Sequence, residues 1–260
     1  MTTKHIIVDD FKGVRNIILN RPEALNSLNY DVIQELENTI NESKYNETVR
    51  VVVIKGNGKA FCAGDDLKGM GTEKQPVPDH ILRRAELGYG RLILALRQLD
   101  KPVIAEVHGY ALGAGCDLAL ACDMIFAAEN TKFGLVFAKR GLVSGTALLP
   151  KLIGYQKACQ YLFTGDYFSA DEAKELGIVN ELHKPEELSF AVDQMAEKLA
   201  VAPTAAIGLI KRAMNESIGA SLQQSVNIQN NVVAASYSTH DYHEGKKAFQ
   251  EKREPVYFGK

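Results

Sequence analysis

Asp117 is the one acidic side chain in the run Gly113-Ala-Gly-Cys-Asp-Leu-Ala-Leu-Ala-Cys122. Small residues at 113 to 115 open an apolar helix, and a helix start leaves its first amides unpaired and partly positive, able to receive an oxyanion. With no bulky side chains there, a ligand can approach that backbone closely. A carboxylate on the first turn beside converging donors fits proton transfer next to a carbonyl whose oxygen gains charge. The alternative is a helix-start carboxylate that only complements the dipole, worth a few tenths to about 1 kcal/mol.

A second glycine-punctuated stretch, Gly56-Asn-Gly-Lys-Ala-Phe-Cys-Ala-Gly-Asp-Asp-Leu67, can also expose amides to a ligand. It is not a Walker phosphate loop, because Gly58-Lys59 is followed by Ala60 and the required spacing and hydroxyl are missing. Asp65 and Asp66 fit turn and capping roles, the usual place of adjacent aspartates after glycine. Nor is Gly113-x-Gly115 a dinucleotide fingerprint, since Leu118 stands where the third glycine belongs.

The elements that must position these residues follow from periodicity. His5 to Asp9 and Val14 to Leu19 predict a hairpin turning near Gly13. Val32, Ile33, Leu36 and Ile40 mark one face of a helix starting near Asn29 or Asp31. Arg50 to Lys55, Val103 to Val107 and Met124 to Ala128 have the composition of buried parallel strands. Residues 69–79, with Pro76 and Pro78, form a connection long enough to be a lid, and a helix is expected over 81–98. The alternation of strand and helix from Arg50 to Ala128 predicts an α/β core. Downstream, a helix is expected over 155–163. Ser169-Ala-Asp-Glu172 has the form of a capping box with Gly177 as its stop, and a short strand is expected over 178–182. The remainder from Pro185 is read as helical.

The 260 residues are 46% hydrophobic and 24% charged, enough for one large core, and the formal net charge of −2 argues against a general polyanion-binding surface. RNA binding gains nothing from this charge balance. Cys62, Cys116, Cys122 and Cys159 lack a paired C-x-x-C pattern and fit reduced thiols rather than disulfides or a metal site. The amino terminus carries no long apolar segment, and no run approaches the ~18 residues needed to span a bilayer. The expectation is a soluble cytoplasmic protein with no membrane or nucleic-acid partner and no metal.

Four blocks, Arg21-Pro-Glu-Ala-Leu-Asn-Ser-Leu28, Ala60-Phe-Cys-Ala-Gly-Asp-Asp-Leu67, the run from Lys101 to Asp123, and Thr164 to Asn180, resemble the enoyl-CoA hydratase/isomerase family, or crotonase superfamily, in the family's order. The resemblance implies an α/β fold built as a crotonase-like spiral of repeated ββα units with a helical carboxyl-terminal region. It divides the chain into an acyl-CoA-binding core over 1–185 and a capping or oligomerisation region over 186–260, with homotrimers or dimers of trimers. The implied substrate is a coenzyme A thioester, with no permanently bound cofactor. The implied oxyanion hole uses the amides of Ala63 and Ala114. Coenzyme A contacts map onto Ala24, Leu25, Ala63, Gly64, Asp65, Asp66 and Ala114, with Lys247 and Phe249 approaching from the last helix, possible contributions of a neighbouring copy.

Asp117 occupies a position where hydratases of the family carry one of two catalytic glutamates. The second glutamate position, after the Phe-Gly motif, is Phe137 here, a ring that moves no proton and is assigned to the acyl pocket. Gly141-Leu-Val-Ser-Gly-Thr146 lacks several residues of the family's glycine-rich segment, and Glu23 stands where some members have a phosphate-binding lysine. A single carboxylate that removes and returns a proton suits double-bond isomerisation better than two-glutamate hydration. The alternative is an acyl-CoA-binding protein or degenerate member without hydratase activity. Glu106 and His108 are expected to serve structure rather than chemistry.

Overall fold

The computed structural model describes residues 5–260, apart from the side chain of Arg84. Residues 1–4, which the reading of the amino terminus includes, lie outside the described residues. The chain opens as a hairpin of β1 (Ile6–Phe11) and β2 (Val14–Leu19). Its turn places Lys12 and Gly13 at φ 46° and 86°, the left-handed pair that matches the twist of the flanking strands. Helix α1 (Tyr30–Tyr45) starts where Asn29 Oδ1 accepts the Val32 amide at 2.9 Å, and it buries Val32, Ile33, Leu36 and Ile40.

Strand β3 (Val51–Gly56) then enters the core, and a long loop leads to α2 (Ile81–Glu86) and α3 (Gly90–Gln98). The helix expected over 81–98 is therefore two helices. Gly88 and Gly90 flank the break, and glycine is disfavoured in a helix interior by about 1 kcal/mol relative to alanine. Within the loop over 69–79, Gln75 ties to α1 by donating to Asp31 Oδ2 at 2.6 Å and accepting from the Tyr30 amide at 3.1 Å.

Next come β4 (Val103–Val107), β5 (Tyr110–Leu112), α4 (Ala114–Ala121), β6 (Met124–Ala128) and β7 (Lys132–Gly134). Helices α5 (Leu149–Ile153) and α6 (Tyr155–Thr164) precede β8 (Phe168–Ser169) and α7 (Ala170–Glu175), which carries the expected Ser169/Glu172 capping box. The strand expected over 178–182 is β9 (Glu181–His183), shifted because Ile178 and Val179 turn into the core instead. Helices α8 (Pro185–Ala200), α9 (Thr204–Ser217), α10 (Leu222–Ser236) and α11 (His240–Glu251) complete the chain.

The strands form a six-stranded sheet in the order β1-β2-β3-β4-β6-β9 and a small sheet β5-β7-β8. Only the β1-β2 pair of the large sheet is antiparallel. Parallel neighbours require crossovers, and here the three that follow β3, β4 and β6 visit the second sheet before turning helical, while β2 reaches β3 through α1. β4 is followed by β5 and α4, and β6 by β7 and the α5–α6 region. β3 is followed by Cys62, which bridges to Ala111 of β5 as an incipient strand. The repeated strand, strand, helix unit advances the chain as a spiral.

One large core fills the space between α1, α3, α4 and the sheets, with Phe61, Phe133 and Phe168 fully buried. A second, smaller core forms on the other face of the large sheet, where Leu188, Val192 and Ala196 of α8 cover Val51, Val53, Ile104 and Phe126. Cys62, Cys116, Cys122 and Cys159 are free thiols. Among the described residues no helix is long and apolar enough to cross a membrane.

Candidate active site

The spiral brings the loop after β3 against the start of α4, on neighbouring turns. The approach is too close for side chains. A Cβ on Gly115 would lie 2.3 Å from Cys62 O, and one on Gly64, whose φ is 95°, would lie 2.7 Å from Leu112 O and 3.4 Å from Ala114 N. The amides of residues 64–66 and of the α4 N-terminus therefore share one small region.

The amide of Ala63, expected above to face a thioester oxygen, is instead donated to Leu25 O at 2.9 Å. That bond, with Leu28 N to Gly64 O at 2.8 Å and Asp66 N to Leu28 O at 2.8 Å, zips residues 25–28 to residues 63–66. The parallel bridge between Leu28 and Asp65 uses the groups on either side of Asp65, the Gly64 carbonyl and the Asp66 amide, and leaves the Asp65 amide itself facing away. The Gly64 amide lies against the Cys62 thiol. Among the described residues, the amides of Asp65 and Ala114 have no hydrogen-bond partner. Both follow glycines in left-handed backbone, Gly64 at φ 95° and Gly113 at φ 53°.

Helix α4 is buried on every side, and Asp117 within it is 1% exposed. Its Oδ2 accepts a hydrogen bond from Tyr89 Oη at 2.7 Å, while Oδ1 is buried with no hydrogen-bond partner. Burial pushes the Asp117 carboxyl up to about 6; the Tyr89 hydroxyl opposes this and the neighbouring Asp65 charge adds to it. Asp65 is half-buried, and burial likewise raises its carboxyl to about 6. Two carboxylates thus lean on one anion-receptive backbone turn.

A cavity of about 50 Å³ beside Asp65 is lined by Ala63, Gly64, Gly113, Phe137 and Arg140, among others; Asp117 lies behind Gly113, outside its lining. Phe137 is 7% exposed and stacks on Tyr89 with ring centroids 6.3 Å apart. A larger cavity, about 620 Å³, lies between α3 and α9 and touches none of these residues.

Of the coenzyme A contacts implied by sequence, Ala24 and Leu25 sit beside the 63–66 loop through the zipped strands just described. Leu25 is 37% exposed in left-handed backbone, φ 50°. Asp66 is anchored rather than free: Arg21 donates to its Oδ2 at 2.8 Å and the Gly69 amide to its Oδ1 at 2.9 Å. Burial works to raise its carboxyl, but the hydrogen bonds from Arg21 and Gly69 hold it below the usual range. On α11, Lys247 pairs with Glu251 at 4.0 Å and Phe249 is 86% exposed; neither lines the cavity beside Asp65. His108 bonds Gly58 O at 3.0 Å, and Glu106 accepts from Ser189 Oγ at 2.6 Å with Lys55 3.8 Å away, so both serve structure.

Sequence reasoning missed three features of the site: the free amide of Asp65, the Tyr89 hydroxyl, and Ser144, which is hydrogen-bonded to that hydroxyl. Tyr89 had one visible signal. It stands between two glycines inside a stretch with otherwise helical spacing, where a continuous helix would not need them.

Comparison with known proteins bears on the fold and the family. A family model described as Enoyl-CoA hydratase/isomerase matches residues 10–260. The chain is 36% identical over 253 residues to a 1,2-epoxyphenylacetyl-CoA isomerase of Escherichia coli (strain K12), covering 96% of each. It is 34% identical over 264 residues to a crotonyl-CoA hydratase of Syntrophomonas wolfei, covering 100% of each. Among solved structures, an enoyl-CoA hydratase from Bacillus anthracis superposes with a TM-score of 0.88 at 35% identity, over 99% of this chain and 100% of that one. With the family match running over residues 10–260 and these relatives covered nearly end to end, the chain belongs to the enoyl-CoA hydratase/isomerase family.

Proposed function

We propose that this protein processes an acyl-CoA thioester by proton transfer at the carbon next to the thioester, with Asp117 as the base and the amides of Asp65 and Ala114 as the oxyanion hole. The observation that carries this reading is the pairing of a buried carboxylate with two amides on adjoining turns of the fold, the carboxylate without a cation and the amides without a partner among the described residues. Asp117 takes the proton, the electron pair of the broken C–H bond moves to the thioester oxygen, and the two amides stabilise the resulting enolate. Return of a proton from the Asp117 carboxyl, exchangeable with solvent before it leaves, to the γ carbon shifts the double bond and leaves the carboxylate as it began.

Phe137 favours this one-acid isomerisation over hydration, because its ring stands beside the site where a second acid would activate water. The same substitution is what a binding protein without turnover would show. Incubating a panel of saturated, 2-enoyl, 3-enoyl and dienoyl CoA thioesters in deuterated water and weighing the products separates these readings. Deuterium uptake without added water supports isomerisation; a gain of one water replaces it with hydration; recovery of every thioester unlabelled leaves binding alone.

Coenzyme A is held, in this reading, along Ala24, Leu25, Gly64, Asp65 and Asp66, with Lys247 and Phe249 supplied by a neighbouring copy. The outer helices support assembly into trimers: Met214, Leu222 and Phe249 are 66%, 82% and 86% exposed, an apolar surface that a second copy would cover. Light scattering at micromolar concentration checks the trimer, and a monomer would remove the contribution of α11.

Removing the Asp65 charge should shift the pH dependence. Asp117 must be ionised to act, so activity rises as pH climbs through its carboxyl value of about 6. Asp65 raises that value by like-charge repulsion, so Asp65→Asn, which keeps the backbone amide, should move the acid limb to lower pH. A limb that stays in place in a full pH–rate profile would show that the two carboxylates do not share a site.

A further inference from the structure

A buried carboxylate is stable only when something replaces its lost hydration, and the usual replacement is a cation. Glu106, a buried carboxylate on β4, has Lys55 3.8 Å away. Asp117 has no cation within ion-pair distance among the described residues. What it has is one end of a helix dipole and one hydroxyl. That hydroxyl is Tyr89 Oη, which reaches Oδ2 at 2.7 Å and whose own oxygen is hydrogen-bonded to Ser144 Oγ. Because the phenolic proton is given to Asp117, the Ser144 hydroxyl is the donor to the phenol oxygen.

Two distant segments are therefore linked in series to one carboxylate oxygen of α4. Tyr89 ends the short turn between α2 and α3, and its ring is fixed by stacking on Phe137 with an interplanar angle of 6°. Ser144 comes from the loop before α5. The other oxygen, Oδ1, is buried and unpartnered among the described residues. A native protein rarely leaves a buried charged atom unsatisfied without a use for it.

We propose that Tyr89 is the positioning residue of the proton-transfer step: its hydroxyl, held by Ser144, clamps Asp117 through Oδ2 and leaves Oδ1 as the oxygen that takes the substrate proton. The proposal rests on the reading of Asp117 as the base. Its chemistry needs no extra reactant, since the Tyr89 proton stays on the phenol throughout and only the proton taken by Oδ1 moves. The clamp also opposes the loss of charge that burial favours, so the carboxylate is kept ionised near neutral pH. The titratable groups facing Asp117 are Tyr89 from the start of α3, Asp65 from the loop after β3 and the neighbouring Cys116 thiol of α4. Of these only Tyr89 donates to it.

The test uses the full-length protein and two readouts. In an infrared pH titration, the carboxyl band that Asp117→Asn deletes reports the Asp117 midpoint without any substrate. Tyr89→Phe keeps the ring on Phe137 but removes the donor, so that midpoint should rise by about one pH unit. Ser144→Ala should raise it by less, and it serves as the second variant where Tyr89→Phe fails to fold. In deuterium exchange on a turned-over acyl-CoA, Tyr89→Phe should lower kcat about tenfold with KM unchanged, and shift the acid limb upward in step with the band. A midpoint that stays or falls in Tyr89→Phe, or in Ser144→Ala where that is the variant available, overturns the clamp. Full exchange by Asp117→Asn overturns the base assignment instead, and a raised infrared midpoint would then stand as evidence for the hydrogen bond alone. Exchange lost in Asp117→Asn but unchanged in Tyr89→Phe in kcat and pH limb defeats the clamp and leaves the base in place.

Discussion

Asp117→Asn is expected to cut deuterium exchange at the carbon next to the thioester by roughly 100- to 10,000-fold, the range for loss of a positioned general base. Acyl-CoA binding should be nearly unchanged. Asparagine fills the same volume inside α4 and can still accept the Tyr89 hydroxyl through its carbonyl oxygen, so the packing of a helix with every residue buried survives. What disappears is the capacity to hold a proton. The fold should tolerate the change, because the carboxylate it removes is desolvated and raised to about 6, with no cation left behind unpaired. Exchange rates and isothermal titration of the same thioester, measured together, check both halves. Loss of binding in parallel with exchange would mean that Asp117 shapes the pocket rather than carries the proton.

Gly64→Ala should be nearly as damaging, by a different route. Its Cβ would meet Leu112 O at 2.7 Å, and its φ of 95° is one that alanine rarely adopts. Relief requires the 63–66 loop to move away from the start of α4, which separates the amides of Asp65 and Ala114. Losing one oxyanion donor typically costs roughly 100- to 1000-fold in rate. The substitution should also destabilise the protein by about 1–3 kcal/mol, the usual range for overpacking a well-filled site. Urea unfolding separates the two effects: a variant still fully folded at assay temperature, yet turning over at the wild-type rate, would show that the two amides do not act together. Gly115→Ala offers a control on the same contact from the other side, since its Cβ would lie 2.3 Å from Cys62 O.

Much of the architecture was legible in the residues because it is set locally. Asn29 before Val32, Ile33 and Leu36 caps a helix in any context that offers that face a core, and Ser169 with Glu172 closes its capping box within four residues. The parallel strands announced themselves by continuous apolar runs such as Val51 to Ile54, all fully buried. The helix expected across 81–98 failed at Gly88-Tyr89-Gly90, where tertiary contacts of one side chain outweigh the helical spacing around it. The small sheet escaped notice because β5, β7 and β8 are two or three residues each, too short for a period to show.

At the site the division is sharper. By itself the sequence determined that Asp117 would sit in the first turn of an apolar helix behind Gly113 to Gly115, and that a second glycine-rich loop could present amides to a ligand; that the two adjoin was implied only by the family resemblance. Which amide of that loop stays free was decided by the tertiary structure alone. Ala63 is taken by Leu25 O and Asp65 is left over, because the bridge at Leu28 uses the Gly64 carbonyl and the Asp66 amide on either side of it. The same holds for Tyr89, which meets Asp117 from 28 residues away in the chain, and for Ser144, which meets Tyr89 from 55 residues away. A residue type states what a group can donate or accept. Only the approach of two distant segments determines whether that capacity is already spent.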